Sequence, residues 1–184
     1  MKQIQSMTET VTQIMAVIHG VTAAVIAGVG LGALAAPELI RKLVVQGEAG
    51  DSVDLSVYGF GVTVPVEQGG PDLLTLGLFC IGAALILGTT ALVFRKLHQV
   101  IRNAGESTPF REDNLRLLRQ IGWLSILIPV IGLVMSIVCR LAVGVESAET
   151  SVNLFGLSMG ILVLCLTQFF AHGVELERDV EGLL

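Results

Sequence analysis

Charge is what this chain has least of. Asp, Glu, Lys and Arg make up 15% of its 184 residues, against 53% for hydrophobic types, where a soluble domain carries about 25% charged residues. With a mean hydropathy of +0.78, that deficit goes beyond a rich core and argues against an ordinary water-soluble domain. Chemistry-bearing patterns are missing as well. Cys80, Cys139 and Cys165 form no CxxC pair, which argues against thiol-redox catalysis. His19, His98 and His172 belong to no HExxH or Cys/His spacing, so no metal or haem is expected. There is no Walker sequence, no GxSxG and no dinucleotide fingerprint. GVGLG at 28–32 follows no strand and lies inside an apolar run, where it cannot cradle phosphate. No nucleophile–base pair can be assembled, and we expect no enzyme and no cofactor. A net charge of −5 with no DNA-binding motif argues against nucleic acid as a partner.

What is present is apolar length. Four blocks, 11–36, 73–94, 120–141 and 152–171, are free of Asp, Glu, Lys and Arg except for Arg140 at the end of the third. Each is near the ~20 residues that cross a hydrocarbon layer of ~30 Å as a helix. A charge at mid-bilayer costs roughly 2.5–3.5 kcal/mol, so the clearance is what lipid as solvent demands. The fold class expected is an all-α membrane protein, a four-transmembrane-helix bundle with a small extracytoplasmic β-containing cap between the first and second helices. The lipid bilayer is its first partner. Ala33-Leu34-Ala35 resembles a signal-peptide cleavage site, but the run is longer than the ~7–15 residues of a signal h-region and only Lys2 precedes it.

The placement of charge orients the chain. Arg95, Lys96, Arg102, Arg111, Arg116 and Arg119 are six of the eleven basic residues, and all lie between the second and third blocks. Segment 37–72 and the 142–151 loop are acidic by comparison. The positive-inside rule then puts 95–119 and both termini in the cytoplasm, and the expected location is a bacterial cytoplasmic (inner) membrane. The chain reads as one integral domain over 1–184, with the cap at 37–72, a cytosolic helical hairpin at 95–119 and an acidic tail at 172–184.

Local signals fill in this frame. Pro37 can open a short interfacial helix with Leu39, Ile40, Leu43 and Val44 on one side. In VDLSVYGFGVTVPV, Val53, Leu55 and Val57 alternate with Asp54 and Ser56, and Val62 and Val64 flank Thr63, which is strand periodicity. A small hairpin outside, folded onto the helix ends and closed by Pro65 and Pro71, is expected. Asp72 can cap the second long helix. That helix continues through Leu97, Val100 and Ile101, and Asn103 and Gly105 offer a stop. Ser107 or Thr108 as N-cap, Pro109 in the first turn, and Glu112 and Asp113 at the positive end of the dipole start the third. Trp123 sits where the chain enters the interfacial belt, and Pro129 should kink that helix.

Three groups of residues are candidates for function or assembly. Gly20, Ala24, Gly28, Gly32 and Ala36 form a small-residue stripe on the first helix, with Gly156 and Gly160 at the same spacing on the last and Ala84 and Gly88 on the second. Such stripes serve bundle packing or a homo-oligomer interface. His19, Thr89, Thr90 and Gln168 fall at similar depth in the inner third of the bilayer, either as interhelical hydrogen bonds or as a polar pocket for a small transporter or channel. The six basic hairpin residues either set topology, meet anionic lipid, or dock a cytosolic regulatory protein. The cysteines lie at different depths, too far apart for a disulfide, whose Cα atoms must come within ~7 Å.

Two stretches carry a resemblance. TPFREDNLRLLRQIGW (108–123) resembles the PF…N…LR.IGW element of the domain-of-unknown-function 2975 (DUF2975) family, and FGLSMGILVLCLTQFFAHGVELERDVEGLL (155–184) resembles its closing helix. The matching positions are Pro109, Phe110, Asn114, Leu118, Arg119, Ile121, Gly122, Phe170, Gly173 and Leu176. The chain departs at Gln168, where members often carry an acid, and at the extreme C-terminus. The resemblance implies a bacterial four-helix membrane protein without assigned chemistry. Such genes often neighbour a small helix-turn-helix regulator, so it also implies a membrane-linked regulatory or stress role. The expected function is therefore a membrane-embedded sensor or regulatory partner working through the basic hairpin, with transport as the competing reading.

Overall fold

The computed structural model describes residues 2–43, 52–67, 70–106, 112–149 and 153–181. It is mostly helical: α1 (Lys2–Ala35), α2 (Pro37–Leu43), α3 (Leu73–Glu106), α4 (Glu112–Ala142) and α5 (Leu154–Glu181), with strands β1 (Ser52–Val57), β2 (Phe60–Glu67), β3 (Gly70–Pro71) and β4 (Ala148–Glu149). Within the long helices, Gln5–Ala35, Leu73–Ala104, Asp113–Ala142 and Leu154–Glu175 are long and apolar enough to cross a membrane. α1 begins well before residue 11 and α5 runs ten residues past 171 as helix (171 to 181). Ser107, Thr108, Pro109, Phe110 and Arg111, and the turn-rich 44–51, lie outside the described residues. Pro129 lies inside α4, whose helix continues on both sides of it.

Packing groups the chain into two units, one of residues 20–88 and 128–154, the other of 1–19, 89–127 and 155–184. The first holds the sheet. β2 is its centre. β1 pairs along one edge, antiparallel, from Ser52↔Pro65 to Val57↔Phe60. β4 (Gly61↔Glu149, Val62↔Ala148) and β3 (Val66↔Pro71, Glu67↔Gly70) share the other edge. The period of two expected for strands holds in β2, where Phe60, Val62, Val64 and Val66 are all buried and Pro65 is exposed. On the opposite face, Thr63 Oγ1 donates to Asp54 Oδ1 at 2.7 Å, across a directly opposed pair.

Pro71 ends β3, but Pro65 closes no strand and lies inside β2. The ladder explains how Pro65 is tolerated. Thr63 N–H donates to Ser147 O at 3.0 Å, so the amide two residues on, at Pro65, faces the same edge. That position falls between the pairings of β4 and β3, and a missing donor there breaks no ladder bond. The Pro65 carbonyl is used, accepting from Asp72 N–H at 2.9 Å. Asp72 then caps α3, its Oδ2 accepting from Thr75 N–H at 3.0 Å and from the Thr75 hydroxyl.

The hairpin turn is Tyr58-Gly59, both with positive φ (47° and 88°). This pattern matches the twist of the flanking strands and favours glycine at the second position. Asn153 holds it: Nδ2 donates to Tyr58 O at 3.1 Å, and a Cβ on Gly59 would stand 2.9 Å from Asn153 Cβ.

The hairpin does not rest on helix ends. Phe60 is fully buried, stacked on Phe79 at 5.5 Å with an 18° interplanar angle. A Cβ on Gly82 would meet the Phe60 ring at 2.6 Å, and one on Gly132 would meet Phe60 Cβ at 3.5 Å. Gly82 is nine residues into α3 (73 to 82), roughly 13 Å along at 1.5 Å per residue. The sheet therefore inserts its turn end between α3 and α4. The core of this unit forms around it from Val62, Val64, Cys80, Ala83, Ile86, Met135, Cys139 and Ala148. The reason is space: glycines on both helices leave room for one aromatic ring.

α1 meets α3 through a face different from the expected stripe. Ala24 and Gly28 are exposed, and a Cβ on Gly28 would have nothing within 4 Å. Gly32 faces the Ile40 side chain of α2. The face in contact carries Ala23, Gly30 and Ala33, all buried. Gly30 and Gly77 let the two backbones approach: a Cβ on Gly30 would lie 2.8 Å from Cys80 Cβ and 3.2 Å from Gly77 O. Of the residues expected on one side of α2, Ile40 packs with Ala33 and Leu73 while Leu39 is exposed; the Leu43 side chain and Val44 lie outside the described residues. On α3, Gly88 likewise borders open space.

Candidate functional site

The second unit contains the hairpin made by the end of α3 and the start of α4, together with the first half of α1 and most of α5. Its two hairpin helices are clasped by an amide pair, Asn103 Nδ2 donating to Asn114 Oδ1 at 3.1 Å. Asn114 is 2% exposed, which is why its polar head must be met by another. Replacing Asn114 by leucine leaves Asn103 without that acceptor, and the expected loss is about 1–3 kcal/mol, read as a lower unfolding midpoint in detergent. Adding Asn103→Leu should recover part of it, because the amide that lost this acceptor is then removed as well.

The clasp fixes how the basic residues are displayed. Arg95, Arg102, Arg116 and Arg119 are exposed and Lys96 is half-buried. Among the described residues none of these five makes an ion pair; the pair that does form is His172 with Glu175, at 3.7 Å on the surface of α5. Arg116, Arg119 and Trp123 share one face of α4 at i, i+3, i+7, and Trp123 is 61% exposed.

That face borders α5 across an open groove of about 470 Å³, lined by Leu115, Arg116, Arg119, Trp123, Leu164, Thr167, Gln168 and Ala171. Beside the groove the two helices approach closely at a crossing. A Cβ on Gly160 would lie 2.6 Å from Ile126 Cγ1 and 3.0 Å from Gly122 O, and one on Gly122 would lie 2.7 Å from Leu164. The groove's lining residues lie on the hairpin side of that crossing. Thr167 donates its hydroxyl to Val163 O at 2.7 Å. A second cavity of about 350 Å³ lies between Lys96, Asp113, Arg116, Leu117 and Gln120, so Arg116 borders both. Gln120 Oε1 is buried there with no hydrogen-bond partner among the described residues.

The polar residues grouped by depth in the sequence have these surroundings. Gln168 lines the α4–α5 groove beside Arg116 and Arg119. His19 lies against α3 instead, its ring 5.3 Å from Phe94, with Nδ1 2.8 Å from Met15 O on its own helix. Thr89 and Thr90 are buried. The sequence signal that joins Gln168 to the arginines is the pair Gly122 and Gly160, which sets the crossing, combined with the i, i+7 spacing from Arg116 to Trp123.

A further contact arises from residues that precede the first apolar block or open it. Glu9 O lies 3.1 Å from His98 Nδ1, Thr12 Oγ1 lies 3.5 Å from the same nitrogen, and Gln5 Nε2 donates to Glu9 Oε1 at 3.1 Å and to Ile101 O at 3.4 Å. α1 is thus held to α3 along its polar start as well. Cys80 and Cys139 are buried and Cys165 exposed, all three as free thiols. Among the described residues no three of His, Cys, Asp or Glu come together in a way that could hold a metal ion.

The family model described as Protein of unknown function (DUF2975) matches residues 61–182. No curated protein and no solved structure matches the chain.

Proposed function

The chain belongs to the DUF2975 family, and we propose that it is a non-enzymatic multi-pass protein of the bacterial cytoplasmic membrane that serves as a membrane-embedded sensor or regulatory partner through its basic hairpin. In this reading α1, α3, α4 and α5 cross the bilayer as a bundle with both termini in the cytoplasm. Two facts support the crossing. Four helices have membrane-crossing length and composition. Their outward surfaces are apolar, with Val17, Val21, Val25, Ile161, Leu162 and Phe169 all exposed, a surface that water penalises and lipid does not. The charge asymmetry about the hairpin supports the orientation.

The observation that carries the regulatory role is the set of unpaired cations. Arg95, Lys96, Arg102, Arg116 and Arg119 have no ion pair among the described residues, although the chain has sixteen acids to eleven bases. Cations left free on a clasped, rigid hairpin suit an acidic partner surface, where electrostatic complementarity gives specificity and rapid encounter. The transport reading needs His19, Thr89, Thr90 and Gln168 on one aqueous path. It draws less support, since Gln168 lines the arginine groove and His19 is bonded to its own helix.

The test replaces Arg95, Lys96 and Arg102 together by glutamine. In-cell cross-linking followed by purification should recover a cytosolic protein with the native chain and about tenfold less of it with the variant, at equal amounts in the membrane fraction, because several close charge pairs are lost. Equal recovery from both would overturn the reading.

A further inference from the structure

We propose that the groove between α4 and α5 is a binding site for one anionic phospholipid of the hairpin-side leaflet, its phosphate held by Arg116 and Arg119. The argument starts from the lining. Of the eight lining residues two are cations and none is an acid, so the groove's own wall is positively charged; the acid nearest in the chain, Asp113, lines the neighbouring cavity that Arg116 also borders. The groove's polar atoms are mainly donors. Each guanidinium presents five N–H groups, the Gln168 amide two and the Trp123 indole one. Thr167, which already donates to Val163, adds only an acceptor. A set of donors with no carboxylate matches a phosphodiester.

The rest of the lining decides which anion. Leu115, Trp123, Leu164 and Ala171 make half of the wall, and a free phosphate would leave these wet. The two characters are also ordered along the helices. Arg116 and Arg119 precede Trp123 on α4, and Leu164, placed beside Gly122, precedes Gln168 on α5. The cations and Gln168 stand toward the hairpin end, with the smaller apolar residues Leu115 and Ala171 beside them, and the two large apolar groups nearest the glycine crossing are Trp123 and Leu164. An amphiphile has that order: headgroup at the arginines, glycerol backbone beside the indole, acyl chain along Leu164 and the exposed apolar face of α5, where Leu162 and Leu166 lie. Basic pockets between membrane helices on the cytoplasmic side hold anionic headgroups by the same chemistry.

This inference rests on the proposed membrane placement and cytoplasmic hairpin, but not on the protein partner. Its residues, Arg116 and Arg119, are different from the three whose replacement tests that partner, so either can fail alone. The chain supplies its own probe, because Trp123 is its only tryptophan and lies in the groove. The purified full-length protein is reconstituted in phosphatidylcholine vesicles with a small fraction of one lipid brominated on its acyl chains, which quenches indole fluorescence only near contact. Brominated phosphatidylglycerol should quench at about thirtyfold lower mole fraction than brominated phosphatidylcholine, as expected for two cations on one headgroup at about 1 kcal/mol each. R116Q/R119Q should abolish the difference and R95Q/R102Q should keep it. Equal quenching of the native protein by the two lipids overturns the site, whatever the variants do. Equal loss in both variants also overturns it, since that result means a diffuse surface potential. Loss of the difference on adding inorganic phosphate at matched ionic strength would show a free-anion site and overturn the lipid assignment.

Discussion

Phe60→Ala lowers the unfolding free energy by about 3 kcal/mol, the lower end of the 3–5 kcal/mol range for emptying a buried aromatic site. The ring has no exposure and is stacked on Phe79. Gly82 and Gly132 also border it and have no side chains to swing into the space, so the cavity collapses only in part. The lower end applies because detergent solvates the ring in the unfolded state, so the water-to-core transfer gain is partly absent and lost packing dominates. The measurement is the midpoint of unfolding as a denaturing detergent is titrated into a mild one. Phe60→Leu, which refills most of the volume, should recover more than half of the loss. A midpoint for Phe60→Ala equal to the native one would mean that the hairpin is not seated between α3 and α4.

The second large effect is a contrast between two glycines on the same helix. Gly30→Leu should destabilise by about 3 kcal/mol, at the upper end of the 1–3 kcal/mol typical of overpacking. A Cβ there would already stand 2.8 Å from Cys80 Cβ, 3.2 Å from Gly77 O and 3.3 Å from Ile81 N. Two of those atoms are backbone and the third is fixed to it, so α1 must move off α3. A Cβ on Gly28 would meet nothing within 4 Å, so Gly28→Leu starts into open space. It should be neutral or stabilise by up to about 1 kcal/mol, since glycine is the poorer helix former. The same detergent titration reads both. The reverse order, with Gly28→Leu the worse, would return the packing face to the Gly20, Ala24, Gly28, Gly32 stripe.

Several features are legible in the amino-acid sequence because they depend on one residue's neighbours in the chain. The number of apolar helices follows from where charge is excluded, since each charge would have to be removed from water; their full length does not, because α1 begins at Lys2 and α5 runs on to Glu181 through charged residues. Strand alternation in 53–64 follows from the two-residue period, and Asp72 as cap from a carboxylate placed before a helix. The end of α3 near Asn103 and Gly105 is of the same kind. The clasp partner, Asn114, stands in the sequence only as a motif residue, because its role needs the hairpin to bring it to Asn103.

Other features required the fold. In water, the inward face of a helix announces itself by being apolar against a polar remainder. On α1 residues 11–36 nearly every face is apolar or small, and that contrast vanishes, so spacing cannot separate Gly28 from Gly30. Side-chain packing against α3 made that choice. The same holds for Phe60, whose place between Gly82 and Gly132 depends on two glycines fifty residues apart (82 to 132). Depth along the chain groups Gln168 with His19; that Gln168 also shares a groove with Arg116 and Arg119 follows from how α4 and α5 pack near Gly122 and Gly160. Composition by itself determined that this chain has four helices suited to oil. Which faces meet, and therefore which polar groups share a groove, was decided by close packing alone, because a helix that is apolar all round carries no record of its own orientation.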